Sequence, residues 1–169
     1  QETPGCTGEL FRVLADAGIP AGVAQLIHGK ASMVTKQLLD SKVIRKVSFT
    51  GSVPVGKELM RMAADGMKRI TMELGGHAPV LIFDDCDLEK TLDMVVPQKY
   101  RNAGQGCVSA ARLYVREGLY DAFIKGFAER TAKVKVGNGL DEDTGMGPLA
   151  NQRRVPAISE LVEDARAKG

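Results

Sequence analysis

The chain has 169 residues, of which 26% are charged and 44% hydrophobic, with a net charge of +2. That balance describes a globular chain long enough to bury a sizeable core, and it excludes compositional disorder. No basic run or aromatic–basic stripe argues for nucleic acid, and no apolar stretch is long enough to span a membrane. The first residues, Gln-Glu-Thr-Pro-Gly, lack the basic and apolar regions of a secretory signal, so a cytoplasmic location is expected. Position 1 is not Met, and we expect the chain to be an internal segment of a longer polypeptide. Cys6, Cys86 and Cys107 are widely spaced, with no Cys-x-x-Cys and only two histidines. That pattern argues against a disulfide framework and against a zinc site.

In chain order, residues 7–17 carry Leu10, Phe11, Val13 and Leu14 at helical spacing. Gly18 suits the position just past the helix end, and Pro20 forbids continuation. The apolar run Val23–His28 reads as a buried strand, 31–39 as a short helix, and Ile44–Phe49 as a second strand. A helix to about Ala64 follows Thr50-Gly51-Ser52, then strands over Arg69–Glu73 and Pro79–Phe83. Thus 23–73 predicts β-α-β-α-β, which implies a parallel sheet. Residues 87–101 predict a helix capped by Asp87, interrupted by the glycine-rich run before Cys107. Arg112–Arg116 predicts a strand, 118–134 an amphipathic helix, 137–150 a loop and 151–168 a last helix. The paired glycines Gly75 and Gly76 suggest a boundary near 74–78, dividing 1–74 from 75–169.

Three segments carry chemistry. The first runs strand, Phe49-Thr-Gly-Ser-Val-Pro-Val-Gly56, helix. A helix N-terminus directly after a strand presents free N–H groups and partial positive charge, which suits a pyrophosphate. Gly51 permits a tight turn there, and Ser52 caps the helix or bonds a phosphate oxygen. Taken alone, the segment reads rather as a capped helix of any α/β protein. The second is Glu73-Leu-Gly-Gly76, a carboxylate at the end of a parallel strand, where α/β folds place ligands. Taken alone, that Glu is as readily solvated or salt-bridged. The third is Gly104-Gln-Gly-Cys107, a Cys expected to enter a helical turn that would activate its thiol. Most cysteines are buried and inert, and Cys6 and Cys86 are read that way.

Together the segments resemble the aldehyde dehydrogenase superfamily. The resemblance rests on Phe49-Thr-Gly-Ser-x-x-x-Gly56, Glu73-Leu-Gly-Gly76 and Asn102-x-Gly-Gln-x-Cys107, with Glu73 and Cys107 separated by 34 positions. Ala17-Gly-Ile-Pro-x-Gly-Val23, Arg112, Gly137-Asn138 and Gly147-Pro148 extend it over the whole chain. It implies an open parallel α/β sheet, the second half of a Rossmann-like NAD(P)-binding domain in 1–74. The first half of an α/β catalytic domain is implied in 75–169. It implies NAD or NADP as cofactor and a homodimer or homotetramer in the full-length protein.

The resemblance also implies roles. Cys107 is the nucleophile and Glu73 the general base that releases the thioester, a role that asks for burial of the carboxyl. The Cys107 N–H supplies half of an oxyanion hole, whose other half is an upstream Asn and not Asn102. Gly51 and Ser52 match the pyrophosphate turn, Gly56 a close helix packing, and Leu74 a position beside the nicotinamide. Gln1 stands where the family often has Glu on the ribose hydroxyls; a neutral residue removes a repulsion against a 2′-phosphate and is compatible with NADP, though ribose contacts also vary freely. Arg101, in Tyr100-Arg-Asn-Ala-Gly-Gln-x-Cys107, resembles the substrate-carboxylate Arg of succinate-semialdehyde dehydrogenases. An Arg reaching to solvent accounts for it equally well. Gly106 and Ser109 depart from that subfamily's common Thr and second Cys. The alternative to an enzyme is a non-catalytic relative that keeps the fold for structure or nucleotide binding.

Overall fold

The computed structural model describes residues 3–169, so Gln1 lies outside the described residues. The first helix, α1 (Pro4–Asp16), starts earlier than the apolar spacing predicts. Pro4 occupies its first turn, where a missing N–H leaves nothing unsatisfied. Gly18 ends it with φ +85°, the left-handed conformation that glycine adopts without a Cβ clash.

The expected strand Val23–His28 is not a strand. Val23 donates to Pro20 O in a turn, and Gln25 Nε2 bonds Gly22 O. An extended apolar run becomes a strand only against a partner, and none of the described residues pairs with this one. Val23 and Ile27 are accordingly 70% and 58% exposed.

Helix α2 (Ala31–Asp40) leads to strand β1 (Lys46–Gly51), then α3 (Val53–Ala64) and β2 (Arg69–Leu74). The two strands are parallel and in register from Lys46↔Arg69 to Gly51↔Leu74. Leu39, Leu59 and Ala63 form the core of this unit, with Val47, Phe49, Ile70 and Met72 packed on them. The period of two along each strand thereby puts one face of the pair under α2 and α3. Lys68 Nζ donates to Ser41 O at 2.7 Å and Ile44 O at 2.8 Å, tying down the chain that enters β1.

A second compact unit begins at Gly76, within the stretch where the paired glycines suggest a boundary. Strand β3 (Pro79–Ile82) pairs parallel with β4 (Arg112–Val115), from Pro79↔Arg112 to Ile82↔Val115. Between them lies α4 (Leu88–Tyr100), whose cap Asp87 accepts from Lys90 N, as expected. The predicted helix over 118–134 is shorter: a 3₁₀ turn, Glu117–Leu119, precedes α5 (Tyr120–Thr131). Ile82, Leu92 and Phe123 form the core here. Arg130 locks α5 to α4 by bonding Glu89 at 2.7 Å and Asp93 at 2.8 Å. These two carboxylates, Glu89 before Asp93, raise the guanidinium pKa. The loop 137–150 is pinned at its start by a bridge between Val136 and Met146, and α6 (Arg154–Lys168) closes the chain without a buried residue. No helix among the described residues is long and apolar enough to cross a membrane.

Candidate active site

In the first unit the register brings the ends of β1 and β2 abreast, Thr50 opposite Glu73 and Gly51 opposite Leu74. Helix α3 begins immediately beyond, with Ser52 as its cap residue. The Ser52 side chain makes no capping bond, so its hydroxyl is not consumed by the helix. Gly56 N bonds back to Ser52 O at 2.9 Å, while the amides of Val53 and Val55 have no acceptor among the described residues. Pro54 contributes no N–H.

Glycine at 56 is a packing requirement. A Cβ there would lie 2.7 Å from Leu74 Cδ2, so α3 rests directly on the end of β2. Gly51 has a different reason from the tight turn expected of it. Its φ is not left-handed; a Cβ there would lie 2.4 Å from Phe49 Cζ, so the residue makes room for that ring.

Beside this helix start, between α2 and α3, a cavity of 1480 Å³ is lined by Ser32, Leu39, Phe49, Pro54, Val55 and Leu59. Its walls are largely apolar, with charged residues of both signs, Lys36, Lys42, Glu58 and Asp65, also lining it.

Glu73 is exposed, on the face of β2 opposite to that buried by Met72 and Leu74. The burial its role asks for is therefore not supplied within residues 1–75. Gly51, Ser52, Gly56, Glu73 and Leu74 stand together at one sheet end, while Arg101 and Cys107 belong to the other unit.

In that second unit α4 ends at Tyr100, and the chain turns left-handed over three residues: Asn102 at φ +53°, Ala103 at +54° and Gly104 at +73°. Non-glycine residues are rare in this region, because Cβ meets the neighbouring carbonyl. Gln105 stabilises the turn, its N and Nε2 both donating to Asn102 O at 3.1 and 3.0 Å. Cys107 lies in a single hydrogen-bonded turn, and no helix follows it before β4. Ser109 N closes on Gly106 O at 3.1 Å, and the chain runs straight into β4. The Cys107 thiol is exposed, and the residue's N–H has no acceptor among the described residues. Gly76 lies close to its carbonyl, an added Cβ falling 4.0 Å from Cys107 O. Cys6 is exposed and Cys86 half-buried, so Cys6 departs from the buried setting expected of it. Exposure follows from α1, which buries no residue at all.

Arg101 is not linked to Cys107 by a helix either, since the left-handed turn intervenes. Its side chain borders a cavity of 710 Å³ with Met94, Pro97, Tyr100, Arg130 and Lys133. It makes no ion pair among the described residues, unlike Arg130. Arg112 instead serves the structure. Its Nη2 donates to His77 O at 3.1 Å, and its guanidinium lies 5.9 Å from the Tyr114 ring centre.

Sequence reasoning missed two contacts around Cys107. Gln105 Oε1 accepts from Ala150 N at 3.0 Å, and Gln98 Nε2 donates to Val108 O at 3.1 Å. The place of Gln105 inside the cysteine motif was a signal that could have found it. Gln98 lies on a helix surface with nothing in the sequence to single it out.

The aldehyde dehydrogenase family model matches residues 1–169, and the chain belongs to that family. A glutarate-semialdehyde dehydrogenase of Pseudomonas putida is 45% identical over 99% of this chain and 35% of its own length. A succinate-semialdehyde dehydrogenase (NADP(+)) of Escherichia coli is 40% identical over the same shares. Among solved structures, an E. coli NADP dependent enzyme matches with TM-score 0.95 and 41% identity, over 99% of this chain and 35% of that one. Betaine aldehyde dehydrogenase from Staphylococcus aureus in complex with NAD+ matches with TM-score 0.90 and 36% identity, over 99% and 33%. The chain thus spans about a third of the length of these relatives. The parallel α/β fold expected from the motifs agrees with these neighbours.

Proposed function

We propose that the full-length protein oxidises an aldehyde to a carboxylic acid with NAD or NADP, and that its substrate is a short semialdehyde acid such as succinic semialdehyde. The observation that carries this reading is the setting of Cys107 in a chain of this family: an exposed thiol on a hydrogen-bonded loop, with its own N–H unused. Cys107 Sγ adds to the aldehyde carbon, giving a thiohemiacetal whose oxygen the Cys107 N–H stabilises. A bound NAD(P) would supply the hydride acceptor; loss of that hydride from carbon, and of the hydroxyl proton to water, would leave a thioester on Cys107. Glu73 then takes a proton from water, which attacks the thioester carbonyl and releases the acid and the thiol. An acyl transfer to coenzyme A has no need of that base, so Glu73 favours hydrolysis.

Residues 1–74 fit the dinucleotide as the partial cofactor domain, and 75–169 serve as the partial catalytic domain. The apolar cavity between α2 and α3 suits an adenosine, and the unpaired Val53 and Val55 amides with the Ser52 hydroxyl suit a pyrophosphate beside it. Gly51, Gly56 and Leu74 shape this cradle. The neutral Gln1 favours acceptance of a 2′-phosphate, and both coenzymes occur among the relatives. Arg101, without an ion-pair partner of its own, holds the substrate carboxylate. The semialdehyde dehydrogenases among the relatives support that substrate class. A working Cys107 needs a reducing compartment, so we place the protein in the cytoplasm, as a homodimer or homotetramer. The test is NAD(P)-dependent oxidation of succinic semialdehyde by the full-length protein, with Cys107→Ala as control. Activity that survived that substitution would overturn the mechanism.

A further inference from the structure

Cys107 sits in the least regular part of its unit, yet its reaction requires a thiol and an N–H aimed at one carbonyl group. Neither a helix nor a strand supplies that order: residues 101–109 contain a left-handed turn and a bend. Two backbone bonds, Gln105 N to Asn102 O and Ser109 N to Gly106 O, shape the loop locally, and a small set of side-chain bonds ties it to its surroundings. On the N-terminal side, Gln105 Oε1 accepts from Ala150 N at 3.0 Å, and its Nε2 doubles the bond that its own N makes to Asn102 O. On the C-terminal side, Gln98 Nε2 donates to Val108 O at 3.1 Å. Gln98 stands on α4, which is anchored by the buried Leu92, Val95 and Val96. Ala150 ends the loop that the Val136–Met146 bridge pins. Cys107 thus lies between two glutamine contacts, each reaching an element outside its own turn.

We propose that Gln98 and Gln105 are positioning residues that together aim Cys107 and its N–H at the substrate carbonyl. This rests on Cys107 being the nucleophile of the proposed reaction. Both glutamines are exposed, and neither belongs to the core cluster, so their loss leaves the fold standing. Their chemistry separates the two contacts. Gln105→Glu keeps the acceptor for Ala150 N but turns a carboxylate oxygen toward Asn102 O in place of the donated bond. Gln105→Leu loses both. Gln98→Glu is isosteric and loses the donor to Val108 O.

The experiment uses the full-length protein with NADP and succinic semialdehyde, comparing wild type, Cys107→Ala, Gln105→Leu, Gln105→Glu and Gln98→Glu. The readouts are steady-state kcat and KM, the single-turnover rate of NADPH formation, and the melting temperature. A misplaced nucleophile costs rate rather than cofactor affinity, so Gln105→Leu and Gln98→Glu should each lower the single-turnover rate about tenfold or more. The KM for NADP should stay within about twofold, because uniform binding is untouched. Gln105→Glu should lose less rate than Gln105→Leu, since the Ala150 contact survives. Equal loss in Gln105→Leu and Gln105→Glu, or losses that track melting temperature and cofactor KM, would overturn the proposal. So would wild-type rates in both Gln105→Leu and Gln98→Glu. Cys107→Ala separates the two levels: activity in that variant sinks the functional reading, whereas an inactive Cys107→Ala beside fully active glutamine variants sinks only the positioning role.

Discussion

The proposed base and the proposed nucleophile are held by opposite means. Glu73 is a regular residue of β2, its position given by the ladder that pairs Thr50 with it and by α3 resting on Leu74 next door. Cys107 is placed by an irregular loop with three left-handed residues and a handful of side-chain bonds. Ladder positions tolerate neighbouring substitutions, because backbone pairing is indifferent to side-chain type. A loop such as that of Cys107 depends on individual residues, so small changes there should affect rate without affecting the fold. That contrast suits the chemistry: water is mobile and can meet a base over a range of geometries, whereas a thiol must meet a carbonyl along a narrow approach.

The largest effect tests the nucleophile end of the comparison. Cys107→Ala in the full-length protein should lower aldehyde oxidation by at least about 10⁴-fold, read as initial rate of NAD(P)H formation. At the base end, Glu73→Gln should slow turnover by about 10²–10⁴-fold while leaving a first-turnover burst of NAD(P)H. Rapid-mixing kinetics distinguish this from loss of acylation, since a burst lost along with the steady state would remove Glu73 from deacylation.

Arg101→Ala sharpens what the nucleophile loop does besides chemistry. It should raise KM for succinic semialdehyde about tenfold or more, the value of a hydrogen bond to a charged group, and leave KM for an uncharged aldehyde unchanged. An equal rise for both would end the carboxylate role. Gly56→Val tests the regular end: overpacking against Leu74 should cost about 1–3 kcal/mol, measured by denaturant unfolding. The smallest effect belongs to Asp87. Lys90, through its side chain and then its backbone N–H, holds the Asp87 carboxyl below the ordinary carboxylate range. A lowered folded pKa adds stability above the ordinary value, and that stability is lost as pH falls through the folded one. Asp87→Asn should therefore melt slightly below wild type at pH 7, with the difference shrinking below about pH 4. A difference independent of pH would show that charge has no part in the cap.

Much of the framework was legible from residue pattern alone. Helical periodicity, Gly18 and the Asp87 cap located α1 and α4, because such signals are local and act within one turn. The strands β1 to β4 were legible for the same reason. Val23–His28 was not, because an apolar run carries no record of whether another strand lies beside it. The shortfall at Cys107 has the same origin: helix entry was expected from a glycine-rich run, but the path was decided by the Gly106–Ser109 turn and the start of β4.

The sequence by itself determined the family, since Cys107, Glu73 and Gly51-Ser52 stand in the order and spacing of its motifs. Only the tertiary structure decided why Gly56 and Gly51 must be glycine, and which side chains touch the loop of Cys107. Such facts depend on distances between residues remote in the chain, as with Gln105 and Ala150, and no one-dimensional pattern encodes them.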